Sequence, residues 1–329
     1  MRCSQAERME IVRLVEESEL PVKQTLEELD VSRSTFYRWY KRYQESGYDG
    51  LANRRPNPRQ FWNRIPDEVR DHVVQVALAH PDKSPRQLAW FITDTEEAFV
   101  SESSVYRILK QFDLVTSPVF QVVSASDRFK DPARRVNELW QTDFTQFKVV
   151  GWGWYYLCTV LDDFSRYILS WKLTTTMSTT DVQDTLDIAL ERTGVTQVKV
   201  KHRPRLLSDN GPCYVSKALR DYLGKHKIEH IRGAPYHPMT QGKIERYHRS
   251  MKSVVKLEMF YYPWELEQAI ANFVEYYNTH RYHKALDNLT PAAVYAGRGE
   301  EIQSRREEIK TKTMQERRRY NLHLVYNMA

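Results

Sequence analysis

Residues 139–149 read LWQTDFTQFKV, a stretch dominated by β-branched and aromatic residues, which is typical of a β-strand. Two similar stretches, YYLCTVLDDFS and YILSWKL, follow along the chain, so we expect three adjacent strands in a meander. Asp143 stands in the middle of the first strand, between Trp140 and Phe144. Burying a carboxylate in a strand is costly unless cations or hydrogen-bond donors compensate its charge, so this position indicates a function.

The elements that follow predict an α/β domain. We expect helices over residues 179–191 and 216–226, short strands over residues 205–208 and 228–232, and long helices from Thr240 and Pro263. Strands and helices in this order form a mixed sheet. The predicted fold class is multidomain, with all-α helix-turn-helix modules followed by this α/β domain.

Two further acids stand at the ends of predicted elements. Asp209 comes directly after the fourth strand, and Glu245 lies in the first turns of a long helix. Taken singly, Asp209 suits the turn Asp209-Asn210-Gly211 and Glu245 suits a helix surface. Together with Asp143 they predict a catalytic, metal-binding cluster, because carboxylate oxygens are the ligands that Mg²⁺ prefers. We expect two Mg²⁺ ions, for which Mn²⁺ substitutes, as in sites that cleave and join phosphodiesters.

Three segments around these acids carry a family resemblance. WQTDFT, LLSDNGPCYVS and HPMTQGKIERYHRSMK resemble the catalytic core of bacterial insertion-sequence transposases and retroviral integrases, and 35 residues separate Asp209 from Glu245, as in that family. The resemblance implies an RNase H-like integrase core over residues 137–298. It implies a metal-dependent polynucleotidyl transferase that binds the terminal inverted repeats of a mobile element, frees 3′-hydroxyl ends and transfers them to target DNA, by a copy-out, paste-in route. Because no His-His-Cys-Cys zinc module precedes the core, a bacterial mobile element is favoured.

Two other functions are compatible with the same fold. One is a catalytically silent or domesticated DNA-binding regulator, against which the intact set of three acids argues. The other is an RNase H-like nuclease without strand transfer, which does not need paired DNA-binding modules. For a transposase we expect a homo-oligomer, at least a dimer on paired ends, because joining two ends requires both to be held in one assembly.

Residues 1–50 predict a helix-turn-helix module. Basic residues number four against eight acidic ones in residues 1–30, but seven against two in residues 31–59. Ser32 caps a helix whose inner stripe is predicted to be Phe36, Tyr40 and Tyr43. The opposite face is predicted to contact double-stranded DNA in the major groove through Arg33, Ser34, Tyr37, Arg38 and Lys41. An ordinary three-helix unit with a solvated basic face is the alternative.

The segments on either side of a second helical module are predicted linkers. Residues 51–65 form a basic, proline-containing linker that either lies in a minor groove or is simply solvated. Its predicted DNA contacts are Arg54, Arg55 and Arg59. Residues 66–113 predict a second helix-turn-helix module, with Arg107 and Lys110 as DNA contacts, although its lower charge also suits packing against protein. Residues 114–136 are the second linker.

Two basic regions near and beyond the core remain. Arg249 and Lys252 share a helix face with Glu245 and are predicted to receive the phosphate backbone beside the metals, the alternative being a salt-bridged surface helix. Residues 299–329 form a basic C-terminal segment that binds DNA or a neighbouring subunit, or is a solvated tail.

Composition excludes several other classes of protein. The chain of 329 residues has a formal net charge of +6, and its three cysteines are isolated, unlike those of a zinc site or a disulfide scaffold. No apolar run is long enough to cross a bilayer, and the first helix is amphipathic and acidic, unlike a signal peptide. We therefore expect a cytoplasmic bacterial protein that is nucleoid-associated when bound to DNA and has no membrane partner.

Overall fold

The computed structural model describes residues 4–18, 20–52, 62–115, 133–195, 203–233, 242–256 and 258–327, with side chains described through residue 323. These residues fall into two compact units. The first comprises Met1–Arg64 together with Asn321–Ala329, and the second comprises Ile65–Tyr320. Among the described residues, no helix combines the length and the apolar character needed to span a bilayer.

The first unit contains three helices, α1 (Gln5–Glu17), α2 (Val22–Glu28) and α3 (Arg33–Gly50). Ser32 caps α3, because its side chain accepts a hydrogen bond from Thr35 N. The helices pack around a small core of Val12, Val15, Leu26 and Phe36.

The inner face of α3 is wider than its predicted stripe. Phe36 is buried, but Tyr40 and Tyr43 are only partly buried, and Trp39 is buried in addition. The guanidinium of Arg8 lies 5.3 Å from the Trp39 ring centroid, so a cation from α1 shields the extra aromatic residue. The prediction missed Trp39 because its partner lies on another helix.

Three more helices open the second unit, α4 (Asp67–Ala79), α5 (Pro85–Glu96) and α6 (Glu102–Gln111). Ser84 forms a capping box with Gln87 at the start of α5, and Ser101 caps α6 by accepting a hydrogen bond from Ser104 N. Apolar residues from all three helices form one cluster, which includes Val73, Val76, Leu88, Ile92, Val105 and Ile108.

The centre of the second unit is a five-stranded mixed sheet, as the sequence predicts. Its strands are β1 (Leu139–Val149), β2 (Gly153–Asp162), β3 (Ile168–Thr174), β4 (Arg205–Ser208) and β5 (Glu229–Arg232). Their order is β3-β2-β1-β4-β5. The first three strands form the predicted antiparallel meander, whereas β4 runs parallel to both β1 and β5.

Helices cover both faces of the sheet. On one face lie α7 (Thr179–Thr193), α8 (Pro212–Val215) and α9 (Lys217–His226), and on the other lie α10 (Gly242–Val255) and α11 (Pro263–Thr279). Side chains alternate along β1. Trp140 packs in the core between the sheet and α7–α9, whereas Phe147 and Val149 pack in the core between the sheet and α10–α11. By the same alternation, Asp143 is on the α10 side of the sheet.

Two last helices, α12 (Pro291–Tyr295) and α13 (Gly299–Asn327), complete the described chain. Arg306 of α13 is buried and donates to both carboxylate oxygens of Asp94 on α5, at 2.7 Å each. Its guanidinium also lies 4.4 Å from the Trp90 ring centroid. Helices α4–α6 are therefore attached to the rest of the second unit by a bidentate, partly buried ion pair.

Candidate active site

The pairing of β1 with β4 brings two of the predicted acids side by side. Gln141 pairs with Leu207 in this parallel register. Continued by two residues, the same register brings Asp143 level with Asp209, which immediately follows β4. The electrostatics agree, because the charges of both Asp209 and Asp143 help to raise the pKa of the Cys213 thiol, although burial is the larger cause.

Glu245 approaches this edge from helix α10. The backbone N–H of Ile244 donates to the side-chain oxygen of Gln141 on β1 at 3.2 Å, which fixes the start of the helix on the strand. Tyr247 and Met251 are buried beneath it in the core shared with β1. Burial and the charge of Asp143 raise the pKa of Glu245, while Arg249 and His248 oppose that shift.

Asp143 and Asp209 each accept a hydrogen bond from a nearby backbone N–H. Asp143 Oδ1 accepts from the adjacent Phe144 N at 2.8 Å, and Asp209 Oδ1 accepts from Gly211 N at 2.9 Å. A Cβ at Gly211 would lie 3.1 Å from Asp209 Oδ1, so a side chain at that position would crowd the carboxylate. Each carboxylate thus keeps oxygen lone pairs that these local bonds do not use.

His248 belongs to the site and is absent from the sequence-based prediction. It is 5% exposed, its Nδ1 lies 3.3 Å from Asp143 Oδ2, and its Nε2 lies 3.4 Å from Thr159 Oγ1. Thr159 is the cross-strand partner of Asp143. His248 therefore contacts both members of one strand pair from the helix that carries Glu245. Its position three residues after Glu245, on the same helix face, is the sequence feature that could have predicted its place in the site.

Basic residues of α10 divide between the site and a structural role. Burial and the nearby Lys256 lower the pKa of Lys252, and the charge of Asp143 opposes that shift. Lys243 instead forms an ion pair with the buried Asp163, at 2.7 Å. Lys252 and Lys243 therefore lie in different surroundings on the same helix.

The three acids share one edge of the sheet without forming a complete ligand set. Within the described ranges, no three His, Cys, Asp or Glu side chains come close enough to hold a metal ion together. Their chemistry nevertheless suits a divalent cation, since Glu245 and Asp143 repel each other and all three offer hard oxygen ligands.

The predicted DNA-contacting residues that the structure describes lie on helix surfaces. In the first unit all five α3 residues are exposed, namely Arg33, Ser34, Tyr37, Arg38 and Lys41. In the second unit Arg107 and Lys110 of α6 are exposed, and Arg107 Nε donates to Ser103 O at 3.0 Å. Arg249 is exposed on α10 and Lys252 is partly buried. Arg54, Arg55 and Arg59 lie outside the described residues.

Family models match most of these elements. Two models described as integrase core domain match residues 133–238 and 226–291. Two models described as homeodomain-like domain match residues 4–52 and 35–109. The matches thus cover the sheet with its three acids and both sets of amino-terminal helices.

Individual relatives point the same way. The chain is 30% identical over 160 residues to a transposase of insertion sequence element IS150 from Escherichia coli, a match that covers 48% of this chain and 54% of that protein. It is 26% identical over 282 residues to a transposase of IS986/IS6110 from Mycobacterium tuberculosis, covering 77% of this chain and 96% of that protein.

Among solved structures, the integrase catalytic core of HTLV-2 in complex with magnesium is similar at 19% identity with a TM-score of 0.38, covering 49% of this chain and 98% of that one. The first relative is spanned over only about half its length. The family models identify an integrase core domain behind homeodomain-like helices, and the chain is similar to insertion-sequence transposases of bacteria.

Proposed function

We propose that the chain is a DNA transposase that cleaves the ends of a mobile element to free 3′-hydroxyls and transfers those ends to target DNA. The observation that carries the proposal is the juxtaposition of acids at one sheet edge. The β1–β4 register, continued two residues beyond its last pair Gln141–Leu207, aligns Asp143 with Asp209. Burial and the charge of Asp143 raise the pKa of Glu245 on α10. Related transposases support the reaction class.

In this proposal Asp143, Asp209 and Glu245 hold two divalent cations, Mg²⁺ or Mn²⁺. Such ions, when bound, activate an attacking oxygen and stabilise the leaving oxygen of a phosphodiester. The acids suit this role because Asp143 and Glu245 are close enough to repel each other, and the bonds of Asp143 and Asp209 to neighbouring backbone leave oxygen atoms available.

The basic face of α10 receives DNA beside the acids. Arg249 lies one turn beyond Glu245 and is exposed, and Lys252 lies almost another turn further along. The side chains of Arg249 and Lys252 neutralise phosphates of the strand that is cut. Their positive charges also reduce the repulsion between the carboxylates.

Recognition of the terminal inverted repeats belongs to the helical modules. Arg33, Tyr37 and Arg38 are exposed on α3, where a helix can present them to base edges in a major groove. On the specific repeat, Arg38→Ala is expected to cost about 1 to 3 kcal/mol of binding free energy if the side chain contacts a guanine. An equal loss on random DNA, measured by fluorescence anisotropy, would assign Arg38 to a phosphate instead.

Strand transfer between two ends requires two copies of the chain in one assembly. A bound pair of ends converts a slow bimolecular encounter into a reaction within one complex. We include in the proposal a dimer or larger homo-oligomer and a copy-out, paste-in route.

The proposal is tested with DNA that carries the repeats flanking the gene, incubated with purified protein and Mg²⁺. Asp143→Asn, Asp209→Asn and Glu245→Gln should each reduce nicking and joining by at least about a thousandfold, since losing several kcal/mol of charge stabilisation costs that much. Binding of the repeats should stay within about twofold of wild type.

The matched control is Glu275→Gln, which neutralises an exposed acid on α11. This variant should nick and join at the wild-type rate. Wild-type joining by any of the three site variants would overturn the assignment, and nicking without any joining would favour a nuclease.

A further inference from the structure

Seven large apolar side chains are exposed on two segments that meet at one end of the second unit. Val150, Trp152 and Trp154 lie at the turn between β1 and β2, and the backbone N–H of Val150 donates to Phe260 O at 3.0 Å. That bond joins the turn to the segment between α10 and α11. We define the aromatic shelf as the exposed residues Val150, Trp152, Trp154, Met259, Tyr261, Tyr262 and Trp264.

The shelf is held in place by the fold. Phe260 is buried beneath it, and Glu265 Oε2 accepts from the backbone N–H groups of Tyr261 and Tyr262 at 2.9 and 3.0 Å. The rings of Tyr262 and Trp264 are nearly parallel, with centroids 6.3 Å apart. Aromatic side chains fixed in this way lose little conformational entropy on binding, which favours a protein interface.

Its extent matches one half of a stable protein interface. Trp152, Trp154, Tyr261, Tyr262 and Trp264 are each 50–64% exposed. With about 100 Å² of exposed surface per residue, the seven shelf residues offer roughly 700 Å² per protomer. A stable interface buries about 800 Å² on each partner, and monomers rarely expose so large an apolar patch without a function.

Charges of both signs border the shelf. Lys148 is exposed, with its Nζ 6.0 Å from the Trp154 ring centroid, and Lys256 is exposed at the end of α10. Glu258 and Glu267 are exposed beside Met259 and Trp264. A polyanion would be repelled by these acids. A copy related by a two-fold axis instead brings the cations of each protomer towards the acids of the other, because such an interface is self-complementary.

We propose that the aromatic shelf is the surface through which two copies of this chain associate. This inference deepens the proposed function, on which the need for a second copy rests. It concerns association of the protein alone, so it is tested without DNA, metal or turnover, and its failure is distinguishable from failure of the catalytic assignment.

The test is sedimentation velocity of the full chain over a concentration series from about 0.5 to 100 μM. The double variant Trp152→Ser/Trp264→Ser is compared with Leu78→Ser/Met177→Ser, which removes two side chains that are 63% and 52% exposed outside the shelf. Wild type and control should dimerise alike, and the shelf variant should dissociate with at least a tenfold higher Kd. Circular dichroism confirms that all three are folded.

Charge exchange provides the second measurement. Lys148→Glu should weaken association, and adding Glu258→Lys or Glu267→Lys to it should restore dimerisation. A monomeric wild type at every concentration, or unchanged association of a folded shelf variant, overturns the proposal. Loss of binding to a single-stranded oligonucleotide by the shelf variant, with its mass unchanged, would also overturn it and assign the shelf to nucleobases.

Discussion

Two pairs of aspartates on the same sheet differ in how the protein surrounds them. Asp162 and Asp163, at the end of β2, are fully buried, whereas Asp209 is exposed and the side chain of Asp143 is 21% exposed. Asp162 accepts hydrogen bonds from Asn137 N, Ser165 N and Ser165 Oγ, at 2.6 to 2.9 Å. Asp162 therefore stabilises the turn that leads into β3.

The carboxylate of Asp163, the second member of the buried pair, also accepts hydrogen bonds from side chains of the protein. Asp163 accepts from Gln141 Nε2 at 2.8 Å and from Lys243 Nζ at 2.7 Å. Asp143 and Asp209, in contrast, accept from backbone N–H groups one and two residues away. Carboxylates that internal donors satisfy stabilise the fold, and carboxylates left with free lone pairs are available to an external cation.

We expect the largest difference between the two aspartate pairs in the free energy of unfolding of their alanine variants. Asp162→Ala leaves three donors, two of them buried, without their acceptor, so the free energy of unfolding should fall by about 3 kcal/mol. Asp209→Ala removes an exposed carboxylate with one local bond, so its effect should stay within about 1 kcal/mol. Urea denaturation followed by circular dichroism measures both, and equal losses would break the distinction between the pairs.

His248 is buried and contacts Asp143, a member of the less buried pair of aspartates. We expect His248 to hold the carboxylate of Asp143 in orientation. Groups that orient metal ligands typically contribute tenfold to a hundredfold to metal affinity. His248→Ala should therefore raise the Mn²⁺ concentration for half-maximal nicking by that factor, while repeat binding is unchanged.

The control for His248 is His72→Ala, which removes a half-exposed histidine on α4. His248→Asn, which keeps a polar side chain near Asp143, should recover part of the affinity for Mn²⁺. If His248→Ala lowers nicking equally at every Mn²⁺ concentration, His248 does not act by positioning Asp143.

The smallest effect is the pH dependence that Glu245 introduces. Burial and Asp143 raise its pKa in the folded state above 4.5, so the folded protein binds a proton more readily than the unfolded chain does. Protonation of Glu245 thus favours folding at low pH, and this contribution is lost as pH rises from 4.5 through the raised pKa. Glu245→Gln should remove the dependence.

The expected size is below about 1 kcal/mol, because solvent screens an exposed carboxylate. Unfolding free energies of wild type and Glu245→Gln between pH 4 and pH 8 measure it. The variant should become more stable relative to wild type as pH rises. The opposite trend would show that Arg249 and His248 outweigh the repulsion by Asp143.

Local patterns predicted much of the fold. The composition of residues 139–149 predicts the strand that the structure shows at Leu139–Val149, and the apolar residues of α7 and α9 predict those helices to within two residues. The sequence also placed Asp143 on a strand and Glu245 in the first turn of a helix. These successes follow from short-range periodicity.

Long-range pairings could not be predicted in the same way. The contacts of His248 with Asp143 and Thr159, of Lys243 with Asp163, and of Arg306 with Asp94 join residues far apart along the chain. Strand register and helix docking set these contacts, and one sequence carries no periodic signal for either. The contact of Arg8 with Trp39 was missed for the same reason.

We expect Asp143, Asp209 and Glu245 to bind divalent cations together. Electron paramagnetic resonance of free Mn²⁺ titrated into the full-length protein, without DNA, tests it directly. Wild type and Glu275→Gln should bind Mn²⁺ with the same affinity and stoichiometry, and Asp143→Asn and Asp209→Asn should each lose most of that binding while remaining folded. A titration curve for Asp209→Asn that coincides with wild type would contradict the account.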